Sequence, residues 1–161
     1  FIDNIISNNA LSLSQLDAIA VSSGPGSYTG LRIGMSIARG LSASRVIPMI
    51  PVPTLLAINN YIRRKGLYWI AIHSHKNMIY AQRFHSGEPV SEIIFDDYKL
   101  LENQLIYGFN LENLYEKYSS ISPSSKYVGE LALKNYNEWL EMDINKVFPN
   151  YITNFNSGKP K

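Results

Sequence analysis

The sequence predicts an α/β protein, and three observations lead there. A short apolar run with β-branched residues, Leu16-Asp17-Ala18-Ile19-Ala20-Val21, has the length and bounds of a buried strand. A glycine-rich turn follows directly, Ser22-Ser23-Gly24-Pro25-Gly26-Ser27-Tyr28-Thr29-Gly30. Residues 31–44 then carry no proline and read as a helix. Strand, turn and helix in that order are the recurring unit of α/β folds.

The turn supports two readings. Gly24 and Gly26 reach backbone angles that other residues adopt only at a cost, and Pro25 pins the turn between them. Exposed N–H groups at a helix N-terminus can hold a phosphate, which makes Gly24, Gly26 and Ser27 the candidate anion-binding residues. The other reading is a tight connector with no ligand. The run lacks a Gly-Lys-Ser/Thr ending and misses the Gly-x-Gly-x-x-Gly spacing, so neither the P-loop nor the dinucleotide fingerprint is present.

The helix carries small residues in two rows, Gly30, Gly34, Ala38 and Ser42, and then Ser36, Gly40 and Ser44. Residues four apart share one helix face, so each row lets another backbone come close. Arg32, Arg39 and Arg45 exclude a simple membrane span. Interior glycines cost a helix about 1 kcal/mol each, and close packing is the expected compensation. The packed element belongs either to this chain or to a partner.

Ahead of the first strand, residues 1–10 read as the last turns of a helix and 11–15 as a connector. Residues 46–53 are a strand interrupted by Pro48, Pro51 and Pro53, hence an edge or a short piece. Thr54 is placed to cap a helix over 55–64 with Leu55, Leu56, Ile58, Asn59 and Ile62 on its apolar face. Gly66 breaks that helix and divides the chain into regions 1–65 and 66–161. Residues 67–72 and 78–84 form a hairpin joined at 74–77, and 90–95 a third antiparallel strand. A short helix over 96–103, a strand at 105–108 and a helix capped at Asn110 and reaching 118 come next. The remainder reads as a loop at 119–125, a short strand at 126–129, an amphipathic helix over 130–141 and an extended piece at 148–152. Residues 154–161 are polar and expected to be loose.

Composition narrows the function classes. Of 161 residues, 45% are hydrophobic, enough for a core in one or two small domains. A net charge of +2 is no basic footprint for nucleic acid, and the largest cationic cluster is Arg63-Arg64-Lys65. Without cysteine the chain has no disulfide or thiolate chemistry, which fits a reducing compartment. No apolar run is long enough for a membrane helix, and no signal peptide is visible.

The long run Gly24-Pro25-Gly26-Ser27-Tyr28-Thr29-Gly30-Leu31-Arg32-Ile33-Gly34 resembles the TsaB family, as do Ala38-x-Gly40-Leu41 and Ile50-Pro51-Val52-Pro53-Thr54-Leu55. The likeness is strong over about residues 11–60 and continues in line past Tyr80 to Pro149-x-Tyr151. It implies a ribonuclease H-like, actin-like fold lacking its first strands, then a smaller α+β lobe. It also implies an N-terminally truncated chain without the Asp-Thr phosphate turn of such folds. The implied role is a non-catalytic subunit beside a TsaD-type enzyme, in making N6-threonylcarbamoyladenosine at position 37 of tRNA. A TsaE-type ATPase is a further implied partner, tRNA is met only through the complex, and the setting is cytoplasmic. No cofactor is expected, with ATP or ADP entering only beside the catalytic partner.

Where TsaD relatives carry a His-x-x-x-His metal pair, this sequence has Thr54 and Ile58. The family's usual Asp-Ala-Arg turn is here His73-Ser74-His75. The expected partner interface is Gly30, Arg32, Gly34, Ala38, Arg39 and Ser42, a face that would also serve a homodimer.

Other constellations are weaker. His73, His75 and, by hairpin register, His85 suggest a metal, but no carboxylate or cysteine completes a set, and solvated turn histidines are the simpler reading. Asp96-Asp97 sits in an expected loop, and Asp17 faces either a cleft or a turn. Ser27 is not in a nucleophile elbow. Tyr107, Tyr115, Tyr118, Tyr127 and Tyr136 have nothing basic interleaved to make a stacking platform. The competing readings are an actin-like ATP-binding or peptidase-like enzyme, and a fragment whose sheet edge is left bare.

Overall fold

The computed structural model describes residues 1–152, so the expected loose tail lies outside the described residues. The first half of the chain runs α1 (Ile2–Asn8), a 3-10 turn (Leu13–Gln15), β1 (Ile19–Gly24), α2 (Tyr28–Arg45), β2 (Met49–Pro53) and α3 (Thr54–Tyr61). β1 and β2 pair in parallel, from Ile19 opposite Met49 to Gly24 opposite Pro53. Strand alternation then sorts the core. Ile19, Val21 and Met49 face α2 and meet Met35, Ala38 and Val147. Ile50 and Val52 face the other way and meet Ala57, Leu131 and Ala132. The prolines of β2 sit on an edge strand, where a missing N–H costs least.

The second sheet is built on β3 (Leu67–His75) and β4 (Met78–His85), paired antiparallel with Tyr68 opposite Phe84. β5 (Glu88–Pro89) and β6 (Ile94–Asp97) both pair with β4. On the far side, β7 (Ile106–Phe109) runs parallel to β3, and β8 (Ser119–Ser120) parallel to β7. The third antiparallel strand is thus displaced to residues 94–97. Residues 90–93 leave the ladder because Ser91 takes bonds from the Gln82 side chain and the Arg83 N–H. Gly108 lets β7 approach closely, since a Cβ there would lie 2.1 Å from the Ala71 carbonyl oxygen. Leu55, Ile58 and Ile62 of the α3 segment pack onto Tyr68, Ile70, Ile72 and Phe84, joining the two sheets through one core.

Two expected elements are replaced. The helix from Asn110 does not form: Asn110 adopts φ +60, Leu111 is fully buried, and the Tyr115 hydroxyl donates to the Tyr98 carbonyl. A left-handed residue and two tertiary anchors override the local helical pattern. The expected strand at 126–129 is instead the start of α4 (Ser125–Lys134), which Ser124 caps by accepting from the Lys126 N–H. Tyr127 and Val128 recur four residues later as Leu131 and Ala132, so the run belongs to a helix face. α4 and α5 (Tyr136–Trp139) cover most of the expected amphipathic helix, and Glu141 then bridges to Met49. Thus α4 and the segment after it pack on the first sheet, although they follow the second in sequence.

The N-cap of α3 is Pro53, not Thr54, which is the first helical residue. α3 also stops at Tyr61, because Ile62 turns extended to enter the core. The short helix expected over 96–103 is a 3-10 turn, Tyr98–Leu101. Asp96 and Asp97 lie in β6 rather than a loop, and their carboxylates accept the N–H groups of Asp97 and Lys99.

Candidate functional site

β1 delivers the chain into the glycine turn with Gly24 at φ +109, a conformation that favours glycine. A Cβ there would also lie 2.9 Å from the Asn150 carbonyl oxygen. Ser27 caps α2, its hydroxyl accepting the Gly30 N–H at 3.2 Å. The turn forms one wall of a cleft of about 1240 Å³ between the two sheets. Gly26, Ser27 and Thr54 line it on one side, and His73, His75 and Ser124 on the other. The N-termini of α2 and α4 both open on this cleft, yet the capping hydroxyls of Ser27 and Ser124 already accept N–H groups there.

Thr54 shares a 2.6 Å hydrogen bond with Ser22, and Ile58 is buried in the core. A paired hydroxyl and a hydrocarbon do not fit the metal pair of TsaD relatives. His73 donates through Nε2 to the Lys76 carbonyl at 2.8 Å, and His75 Nδ1 lies 3.1 Å from the Ser74 hydroxyl. His85 pairs with Leu67 at the opposite end of the hairpin, so the register separates it from His73 and His75. Among the described residues no three His, Cys, Asp or Glu side chains gather. Asp17 is exposed, and its carbonyl accepts the Tyr136 hydroxyl at 3.4 Å.

α2 resolves the question of the two small-residue rows. Ala38 and Ser42 are buried under this chain's own Met49 and Ile47, with Ser42 donating to the Ile47 carbonyl. They are therefore corrected out of the expected interface. Arg39 is also engaged internally, donating to the Val147 carbonyl and lying over the Phe148 ring at 4.9 Å. Gly30 and Arg32 remain exposed and Gly34 half-exposed, with open space beyond Gly34. The outward surface is the second row, Ser36, Gly40 and Ser44, flanked by Ile33 and Ile37, which are 56% and 49% exposed.

Sequence reasoning placed an extended piece at 148–152 but not its course: the segment 147–151 returns across α2 and the glycine turn. The Asn150 N–H donates to the Ser23 carbonyl. Tyr151 packs against Tyr28 with ring centres 5.2 Å apart and planes tilted by 43°, and its hydroxyl accepts from Arg32 Nε at 3.2 Å. That bond holds the Arg32 pKa above its usual value. The sequence signals were the aromatic pair Phe148 and Tyr151 around Pro149 and the family likeness at Pro149-x-Tyr151. The exposed isoleucines four apart on an arginine-bearing helix were legible but unused.

The chain is similar to known proteins in both sequence and shape. A family model described as "TsaD: tRNA N6-adenosine threonylcarbamoyltransferase" matches residues 1–129. A protein of Haemophilus influenzae named tRNA threonylcarbamoyladenosine biosynthesis protein TsaB is 47% identical over 57 residues, 35% of this chain and 24% of that protein. Its namesake in Buchnera aphidicola from Acyrthosiphon pisum is 31% identical, covering 79% of this chain and 58% of the relative. The namesake from the Baizongia pistaciae strain is 30% identical, covering 94% and 79%. The chain thus spans less than two thirds of the first two relatives. The solved structure of YeaZ from Pseudomonas aeruginosa superposes with a TM-score of 0.75 at 18% identity, over 93% of this chain and 81% of that one. The last likeness shows the α/β fold, and the family match with the two Buchnera relatives settles the lineage: the chain belongs to the TsaB, or YeaZ-like, family within the group that the TsaD model describes.

Proposed function

We propose that this chain is a non-catalytic subunit that binds a TsaD-type enzyme and supports its synthesis of N6-threonylcarbamoyladenosine on tRNA. The observation that carries this reading is the outer face of α2. Two large apolar side chains, Ile33 and Ile37, stand exposed beside Ser36, Gly40 and Ser44. Small residues let a second helix approach, and the isoleucines supply apolar area to bury. Gly30, Arg32 and Gly34 extend the face toward the glycine turn. In this reading nucleotide and any TsaE-type ATPase belong to the assembled cytoplasmic complex, and the free chain can pair with itself through the same helix.

The test is capture of the TsaD-type protein of the same genome by the full chain, followed by sizing of the complex. Wild type forms a stable complex. Ile37→Glu and Gly34→Leu lose it while keeping the wild-type circular dichroism spectrum, since both positions face open space. Unchanged capture by both variants would remove α2 from the interface.

A further inference from the structure

The corner where α3 ends and α4 begins brings Tyr127 onto a ring and a cationic run, Tyr61 and Arg63-Arg64-Lys65, that lie 62 to 66 positions earlier in the sequence. Tyr61, in the last turn of α3, stacks on Tyr127, in the first turn of α4, with centroids 4.8 Å apart and planes 25° from parallel. Tyr61 is 58% exposed. Arg63, Arg64 and Lys65 follow immediately and are all exposed. Among the described residues the single salt bridge is Lys126–Glu130, so none of the three cations is neutralised by an ion pair.

This run is held at both ends. Ile62 is buried, and its N–H bonds the Asn59 carbonyl. Gly66 exchanges two hydrogen bonds with Ser86, through the Ser86 hydroxyl and the Ser86 N–H. Glu88, two residues beyond Ser86, pairs with none of the three cations. Three successive like charges are thus displayed from an anchored segment, with repulsion unrelieved by the protein itself.

We propose that this corner is an RNA-binding surface, with Arg63, Arg64 and Lys65 holding backbone phosphates and Tyr61 stacking an unpaired base. A cationic track beside an aromatic face is the chemistry of single-stranded nucleic-acid recognition. The choice of RNA over another polyanion rests on the tRNA reading above and replaces the expectation that tRNA is met only through the complex: the chain as a whole carries no basic footprint, but the fold sets its largest cationic run beside the Tyr61–Tyr127 pair. The location suits it: α3 and α4 cover the side of the β1–β2 sheet opposite α2, so partner and RNA would not compete.

The test is fluorescence anisotropy of labelled tRNA with the full chain across a salt series. Wild type binds, and R63Q/R64Q/K65Q weakens binding at least about tenfold at low salt and flattens the log–log salt slope by about two. Tyr61→Ala weakens binding about tenfold with the slope kept, and Tyr61→Phe restores it. Wild type failing to bind, equal affinity and slope in the triple variant, or equal binding to phosphatidylserine vesicles through the same three residues would each overturn the proposal. Capture of the TsaD-type protein is measured with the wild-type chain in parallel. Failed capture with tRNA binding intact would count against the subunit reading alone, and intact capture with no tRNA binding against this surface alone.

Discussion

Arg32 donates through Nε to the hydroxyl of Tyr151, a residue 119 positions later, at 3.2 Å. The same guanidinium lies 4.0 Å from the centre of the Tyr28 ring. With the Asn150–Ser23 backbone bond, this contact straps the chain's far end across the glycine turn that begins α2. Exposed pairs of this kind add little global stability. Arg32→Ala is therefore expected to leave the melting temperature close to wild type. It should instead speed amide hydrogen exchange at Asn150 and proteolytic cutting after Val147. Unchanged exchange at Asn150 would show that the backbone bond alone holds the strap.

Val46 ends α2 in the left-handed conformation, φ 55 and ψ 42, while 82% exposed. A β-branched residue is strained there, and glycine is the preferred occupant. Val46→Gly is expected to stabilise the protein by about 1 kcal/mol, read as a higher urea midpoint with an unchanged slope.

Two glycine-to-alanine changes should diverge. At Gly108 the added Cβ would sit 2.1 Å from the Ala71 carbonyl, forcing β7 away from β3 at the cost of about 2–4 kcal/mol. At Gly40 nothing lies within 4 Å, and Gly40→Ala should stabilise by up to about 1 kcal/mol through helix propensity. Thermal melts of both variants check the pair, and a tolerated Gly108→Ala would mean that the β3–β7 contact is loose.

Alkaline pH should weaken the fold. Burial raises the pKa of Tyr115, with Asp97, Tyr98 and Glu102 adding to it, and burial likewise raises that of Tyr68. Above the ordinary tyrosine value of about 10, the unfolded chain loses these protons while the native state keeps them. Stability from these groups is then full below about pH 10 and declines as pH climbs beyond it. Urea midpoints between about pH 9 and about pH 11 should fall, and Tyr115→Phe should fall less. An equal decline in that variant would assign the effect elsewhere.

The local elements were largely legible in sequence. The strand–turn–helix unit, the hairpin of 67–72 and 78–84 and the strand at 105–108 all follow from period and turn chemistry within a few consecutive residues. The helix expected at 110–118 and the strand expected at 126–129 were not, because tertiary anchors at Leu111 and Tyr115 and a cap at Ser124 outweighed local propensity. The candidate site divides the same way. Its glycine turn and small-residue helix are written in adjacent residues. Which row of that helix faces outward depended on Met49, Val147 and Phe148, which reach α2 from other segments.

By itself, then, the sequence determined the family, the α/β class and the helix that carries the small residues, since spacing along one chain encodes a backbone period. Only the tertiary structure decided that Ala38 and Ser42 are spent on this chain's own core, that Ser36 and Gly40 face outward with Ile33 and Ile37, and that Tyr61 meets Tyr127. A helix face is buried or free according to which distant segment folds back upon it, and no local pattern in α2 specifies that return.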